Sequence, residues 1–162
     1  MITCIFEDNV QARGGLRHVT LNVLVIDNNR ILLGKRGSAN GKPMLEAGKW
    51  GLLGGFLDRD ETLIEGAKRE VREESGCEIK NVILFRINDN PNRPMEDRQN
   101  VDIVFIAELD SQTPHINEEV THLEWFPLEQ LPPSAQLAFD HGEEIELYKQ
   151  HLKSKKQLPL LG

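Results

Sequence analysis

Residues 55–77 constrain this chain more than any other stretch. They read Gly-Phe-Leu-Asp-Arg-Asp-Glu-Thr-Leu-Ile-Glu-Gly-Ala-Lys-Arg-Glu-Val-Arg-Glu-Glu-Ser-Gly-Cys. Thr62, with Glu65 three residues later, is a capping box and predicts the start of a helix. Gly76 stands just past the expected end, where a left-handed cap is needed. Ile64, Ala67 and Val71 recur at helical spacing and form the expected buried stripe. Glu70, Glu73 and Glu74 are spaced i, i+3, i+4, so they project from neighbouring points on one face, expected beside that stripe. Like charges at i,i+4 cost an isolated helix about 0.2–0.5 kcal/mol per pair, a penalty that a bound cation turns into a binding site. Hard divalent ions such as Mg²⁺ take oxygen ligands and share their coordination with water and substrate phosphates. The stretch therefore predicts a metal platform for phosphate chemistry. The competing reading is a solvated face held by i,i+4 ion pairs. The cap, the terminal glycine and the preceding Gly54-Gly55 turn weigh against it.

Elsewhere the pattern alternates strands and helices. Residues 18–26 predict a strand, Asp27-Asn28-Asn29 a turn, and 30–36 a second strand. Residues 37–49 predict a loop, and Trp50 to Leu53 a short apolar segment. Further strands are expected at 82–88, 101–109 and 123–126, and a terminal helix from about Gly142 to Lys153. Gly66 sits inside the predicted helix at a cost of about 1 kcal/mol against alanine. It gives clearance for a ligand or crossing backbone, or it permits close helix–sheet packing. The interleaving implies an α+β class, with helices packed on a mixed sheet.

The length of 162 residues fits one domain, 1–162, with residues 1–17 carrying no readable role. The net charge of -7 speaks against a general nucleic-acid binder, though not against an anionic small molecule, because a bound metal inverts the local field. Cys4 and Cys77 form no zinc-type cluster and no disulfide framework, so a cytoplasmic setting is expected. No apolar run approaches a membrane span, and the N-terminus lacks the layout of a signal peptide.

The spacing Gly55, Glu61, Arg69-Glu70-Val71, Glu73-Glu74, Gly76-Cys77 resembles the Nudix box, with every charged and glycine position filled. The resemblance extends over roughly residues 18 to 141, taking in the opening hairpin Val19–Arg36 and the segment from Trp125 to Pro132. Two departures stand out: Leu53 replaces the proline usual before Gly-Gly, and Cys77 replaces an aliphatic residue. The resemblance implies an α/β/α sandwich and hydrolysis of a nucleoside diphosphate linked to another moiety. It implies Mg²⁺, with Mn²⁺ as a substitute, held by Glu70, Glu73, Glu74 and the carbonyl of Gly55, and an orienting salt bridge between Glu61 and Arg69. Bound metals clamp pyrophosphate oxygens, neutralise developing charge and lower the pKa of a bound water that attacks phosphorus. The general base is one of the helix glutamates, Glu73 or Glu74, or an acid on the loop before the late strand, Glu119 or its neighbour Glu118.

The segment around Asn90-Pro91-Asn92-Arg93-Pro94 with Asp97-Arg98, and Leu137-Ala-Phe-Asp-His141, resemble the ADP-ribose pyrophosphatase branch. Pro94, seventeen residues after Cys77, is an approximate match to a proline tied to ADP-ribose use. Arg36, Arg93 and Arg98 are candidates for forked hydrogen bonds to phosphate, or else exposed surface charges. Phe85, Phe105 and Trp125 are expected in the core rather than stacked on a base. None of the five histidines pairs with a candidate nucleophile, so no covalent step is assigned. Two other functions compete: a nucleoside triphosphate pyrophosphatase that sanitises the nucleotide pool, and a non-catalytic module that holds a nucleotide sugar. The 36 residues from Pro127 onward are too few for the DNA-binding domain expected of such a regulator. The expected partners are a small nucleotide substrate and a second copy in a homodimer, with neither nucleic acid nor membrane.

Overall fold

The computed structural model describes residues 2–5, 11–14, 17–93, 99–113, 115–154 and 157–162. In chain order these form β1 (Ile2–Ile5), β2 (Gln11–Gly14), β3 (Val19–Asp27), β4 (Arg30–Arg36), β5 (Ser38–Ala39), β6 (Lys42–Pro43), β7 (Trp50–Gly51) and β8 (Leu53–Phe56). Then come α1 (Leu63–Ser75), β9 (Cys77–Asn88), β10 (Val101–Gln112), β11 (Val120–Pro127), α2 (His141–Ser154) and β12 (Leu160–Leu161). The main sheet has the order β11-β4-β3-β10-β9-β12. It is mixed: β10 runs parallel to β3 and β12 parallel to β9, while the other neighbours are antiparallel.

Strand alternation assigns the two faces. Leu21, Val23 and Val25 of β3, with Ile103, Phe105 and Ala107 of β10, pack with Ala67 and Val71 of α1. Leu24, Ile31, Leu33, Phe85 and Val104 point the other way and pack with Ile145 and Tyr148 of α2. One helix on each face of a mixed sheet is the α/β/α sandwich expected from the sequence.

The β3–β4 hairpin positions the site. Asn28 and Asn29 both adopt positive φ, 46° and 60°, which asparagine tolerates and a tight two-residue turn requires. The strands pair only next to this turn, at Ile26–Ile31 and Asp27–Arg30. They then splay, and the segment from Trp50 to Phe56 fills the fork. β7 pairs with β4 through Gly34–Gly51 and Lys35–Trp50, while β8 pairs with β3 from Val23–Leu53 to Thr20–Phe56. Leu53 is fully buried against the α1 face, so the residue that departs from the family pattern serves as a core side chain. Cys77, the first residue of β9, is likewise fully buried with a free thiol, a small hydrophobe in the core on the α1 side.

Several expectations need correction. Ile64 is 47% exposed and does not belong to the buried stripe. The buried face of α1 is Gly66, Ala67, Val71, Glu74 and Ser75, so Glu74 lies on the stripe rather than beside it. The cause is the rotation of the helix. A Cβ on Gly66 would lie 2.6 Å from Leu21 Cδ1 and 2.7 Å from Glu61 Oε1, so the helix approaches β3 through its smallest residue. Gly66 therefore serves close helix–sheet packing. β9 begins at Cys77, well before residue 82, because Asn81 at φ 51° and irregular pairing with β10 carry it through a polar stretch. Residues 37–49 include the small β5–β6 hairpin rather than loop alone. Phe85 and Phe105 are core residues; Trp125 is half-buried beneath Arg30, whose guanidinium carbon lies 5.4 Å from the ring centroid.

Candidate active site

The wedge of β8 brings two glycines against α1. Gly54 has φ 152°, and a Cβ there would lie 1.9 Å from the Leu21 carbonyl oxygen. Its N–H donates to Glu74 Oε2 at 2.8 Å. A Cβ on Gly55 would come within 2.7 Å of Glu70 Oε1. Two adjacent positions without side chains thus allow two glutamates of α1 to press against backbone.

The helix itself follows its caps. Thr62 and Glu65 form the reciprocal capping box, and Gly76 closes the C-terminus at φ 68°. Arg69 is the hub of the acidic cluster. Its Nε and Nη2 grip both oxygens of Glu61 at 3.0 and 2.7 Å, a bidentate pair. Nη1 reaches Glu70 at 2.8 Å and Glu73 at 3.2 Å, and Nη2 also donates to the Phe56 carbonyl at 3.1 Å. The bond from Arg69 holds the Glu61 carboxyl below its ordinary pKa, and Glu61 in turn raises that of Arg69. Burial raises Glu70 against the opposing effect of Arg69. Glu74 is 5% exposed, and burial pushes its pKa up to about 8 despite the Gly54 N–H.

The two glycines and Glu70, Glu73 and Glu74 of α1 line a cleft of about 730 Å³. Gly55, Glu70, Glu73, Glu74, Glu119, Arg36 and Arg93 all reach it. Glu118 does not; its carboxylate accepts from the N–H groups of Asn40 at 3.1 Å and Gly41 at 3.5 Å and clasps the β5–β6 hairpin. Arg36 gives its Nε to the Leu45 carbonyl at 2.9 Å. Burial lowers its pKa against the fields of Glu74, Glu119 and Glu46. Arg93 is buried, and its fork is closed on Asp140 at 2.8 and 2.6 Å, with Asp102 at 3.3 Å. It is not an exposed charge, and its Nε and Nη2 are committed to these carboxylates. Arg98 and Pro94 lie outside the described residues.

Among the described residues, no three His, Cys, Asp or Glu side chains converge closely enough to enclose an ion. Glu70 and Glu73 lean on Arg69, and Glu74 on Gly54. The donor set nonetheless suits a hard cation: carboxylates on one helix face beside a glycine backbone, with Glu74 buried and making no ion pair among the described residues. Burying such a charge is costly unless a cation or a proton neutralises it.

Sequence reasoning missed the polar floor of this cleft. Asn22 donates to both oxygens of Asp102 at 2.8 Å, Thr20 adds a bond at 3.2 Å, and Asn88 and Arg93 converge on Asp140. The available signal was a polar residue inside each of two apolar strands, Asn22 in the middle of β3 and Asp102 at the start of β10. Burial raises Asp102 to about 6 against the effect of Arg93, and Glu144, at the start of α2, to about 7 against Arg86. With Glu74, these carboxyls keep protons in the native state that the unfolded chain releases above about pH 5. Their stabilising effect is therefore complete at low pH and is lost as pH rises through the folded values. Buried His141, lowered to about 3, acts in the opposite direction below its ordinary value of 6.5, so in chelator the melting temperature is expected to fall most clearly between pH 6.5 and pH 8; a rise over that window contradicts these assignments.

The chain matches the NUDIX domain family over residues 16–148. A Methanocaldococcus jannaschii protein named ADP-ribose pyrophosphatase is 32% identical over 130 residues, covering 80% of this chain and 72% of that one. The mouse oxidized purine nucleoside triphosphate hydrolase is 34% identical over 116 residues, covering 68% of this chain and 66% of its own. The crystal structure of a NUDIX hydrolase from Nitrosomonas europaea superposes with a TM-score of 0.78 at 22% identity, over 99% of this chain and 92% of that chain, and shares the fold. The chain belongs to the Nudix hydrolase family and, within it, resembles the ADP-ribose pyrophosphatase branch.

Proposed function

We propose that this protein hydrolyses the pyrophosphate linkage of a nucleoside diphosphate derivative, ADP-ribose or a similar nucleotide sugar, with Mg²⁺ or Mn²⁺ as cofactor. The observation that carries this reading is that Gly55, Glu70, Glu73, Glu74 and Glu119 line one cleft together with Arg36. Glu70, Glu73, Glu74 and the Gly55 carbonyl would hold the metal, which when bound neutralises phosphate charge and acidifies water. Glu61 orients Arg69, and Arg69 keeps Glu70 and Glu73 from dispersing. Among the described residues, Arg36 hydrogen-bonds the protein through its Nε and lies over the Phe139 ring, which leaves its two Nη groups for phosphate. Arg93 holds the cleft floor rather than the substrate, and Arg98 remains a phosphate ligand on sequence grounds. Glu119 is the general base that takes the proton of the attacking water, and Glu118 is not. A cytoplasmic location and a homodimer belong to the same proposal.

The test is a nucleotide panel with Mg²⁺ and product identification. ADP-ribose should yield AMP and ribose 5-phosphate. Glu119→Gln should lower kcat by about 10²–10⁴-fold, the usual share of a general base, while Glu118→Gln stays within about threefold of the unaltered protein. No turnover across the panel contradicts the reading. A second reading, nucleoside triphosphate pyrophosphatase, draws on the 34% identity to the mouse enzyme. A monophosphate with free pyrophosphate as products would select it.

A further inference from the structure

The turn from Ala138 to His141 is held by several hydrogen bonds, none of them, among the described residues, to the glutamates of α1. Ala138 N–H donates to the Trp50 carbonyl at 2.8 Å, and His141 N–H to Ala138 at 3.1 Å. Arg93 and Asn88 grip Asp140. Phe139 has φ 49°, a left-handed conformation that a bulky residue adopts only where surroundings enforce it, and often where function uses it. Both Phe139 and His141 line the cleft, with ring centroids 5.6 Å apart.

The tautomer of His141 is set by the backbone. Leu52 N–H donates to its Nδ1 at 2.9 Å, so the ring proton sits on Nε2. That N–H has no protein acceptor among the described residues. Burial lowers the imidazole to about 3, so it is an uncharged donor at every working pH. Arg36, whose guanidinium carbon lies 4.9 Å from the Phe139 centroid and which feels Glu74 and Glu119, stands between this turn and the glutamates. Pro43, Met44 and Leu45 add apolar wall to the same cleft.

We propose that His141 is a specificity residue that donates its Nε2–H to an uncharged acceptor on the substrate's nucleobase, with Phe139 as the flat wall beside it. The inference rests on the pyrophosphohydrolase reading and names the part of the substrate that lies beyond Arg36. A single fixed neutral donor against aromatic and aliphatic surface suits a heterocycle. A phosphate wants charge, and a sugar wants several polar partners.

Two variants separate the roles of the ring. In His141→Asn, the amide oxygen can still accept from Leu52 N–H while the Nε2–H donor is lost. In His141→Gln, an amide N–H returns near the Nε2 position. With ADP-ribose and Mg²⁺, H141N should raise KM about tenfold with kcat within about threefold, the loss of one neutral hydrogen bond, and H141Q should recover most of it. H141N should also flatten the preference among base-swapped nucleoside diphosphate riboses while leaving the preference between ADP-ribose and ADP-glucose unchanged. Unchanged KM and base preference, or a flattened sugar preference instead, overturns the proposal. If H141N does not fold, H141Q decides: affinity within about threefold supports it and a tenfold loss overturns it. Should the panel show no turnover, the hydrolase reading falls, and calorimetric titration of AMP still decides this one. A tenfold weaker AMP affinity in H141N supports it; equal affinity, or no binding to the unaltered protein, overturns it.

Discussion

Replacing Glu74 with glutamine is expected to lower kcat at least about 100-fold while leaving the melting temperature unchanged or higher. Losing even a partner that orients a metal ligand costs 10–100-fold, and losing a ligand costs no less. Stability should move the other way. The Glu74 carboxylate is 5% exposed and meets only the Gly54 N–H at 2.8 Å, with no ion pair among the described residues. Glutamine keeps an oxygen for that N–H and removes a carboxyl that the native state must keep protonated or hold at a cost when charged. A carboxylate held for structure would behave oppositely, since breaking a buried ion pair destabilises by about 3–5 kcal/mol. Mg²⁺ supplies an independent readout. A ligand at a hundred times its Kd stabilises the native state by about 2.7 kcal/mol, so the unaltered protein should melt higher with Mg²⁺, and Glu74→Gln should lose that increment. Glu73→Gln should lose activity similarly with little change in melting, because the Glu73 side chain is 56% exposed. If Glu74→Gln keeps its turnover, or melts lower and responds to Mg²⁺ as before, the metal assignment is wrong.

Gly54→Ala is expected to cost on the order of 4 kcal/mol, and activity with it. The added Cβ would sit 1.9 Å from the Leu21 carbonyl oxygen and 2.9 Å from Asn22 Cα, both backbone atoms that cannot swing aside. At φ 152° the position is also strained for any side chain. Relief requires β8 to withdraw from β3, which removes the N–H that Glu74 accepts. A domain of this size loses about 2–4 °C per kcal/mol, so thermal melting should shift by about 10 °C or more, or no folded protein should be recovered. Gly55→Ala tests the neighbouring position with a different expectation. Its Cβ would meet the Glu70 carboxylate, the end of a flexible side chain, so the fold should survive while Mg²⁺ response weakens. Equal, small effects at both glycines would contradict the wedge geometry.

Local patterns are legible in the sequence where the physics is local. The capping box, the left-handed Gly76 and the asparagine turn each involve residues within a few positions of one another. The spacing of Glu61 and Arg69, eight apart across a helix start, also survives as a bidentate pair. Ile64 is exposed rather than buried because the rotation of a helix about its axis depends on what it packs against. Here the lack of a side chain at Gly66 turns α1 toward Leu21 and draws Glu74 inward. Arg93 could be read as a phosphate clamp only because its partner Asp140 is 47 residues away.

The resemblance of residues 55–77 to the Nudix box implied the α/β/α sandwich and the family, while the amino-acid sequence alone determined the glutamate helix, its caps and the interleaving of strands with helices. Those follow from periodicity and from short-range hydrogen bonding, which need no knowledge of distant neighbours. Only tertiary structure decided that Asn22 meets Asp102, 80 residues on, and that His141 takes its tautomer from Leu52, 89 residues back. It also separated Glu119 from Glu118, since one reaches the cleft and the other clasps a hairpin. These are outcomes of strand order and of a hairpin splayed by the segment between its strands, and no local propensity encodes which distant groups such a fork brings together.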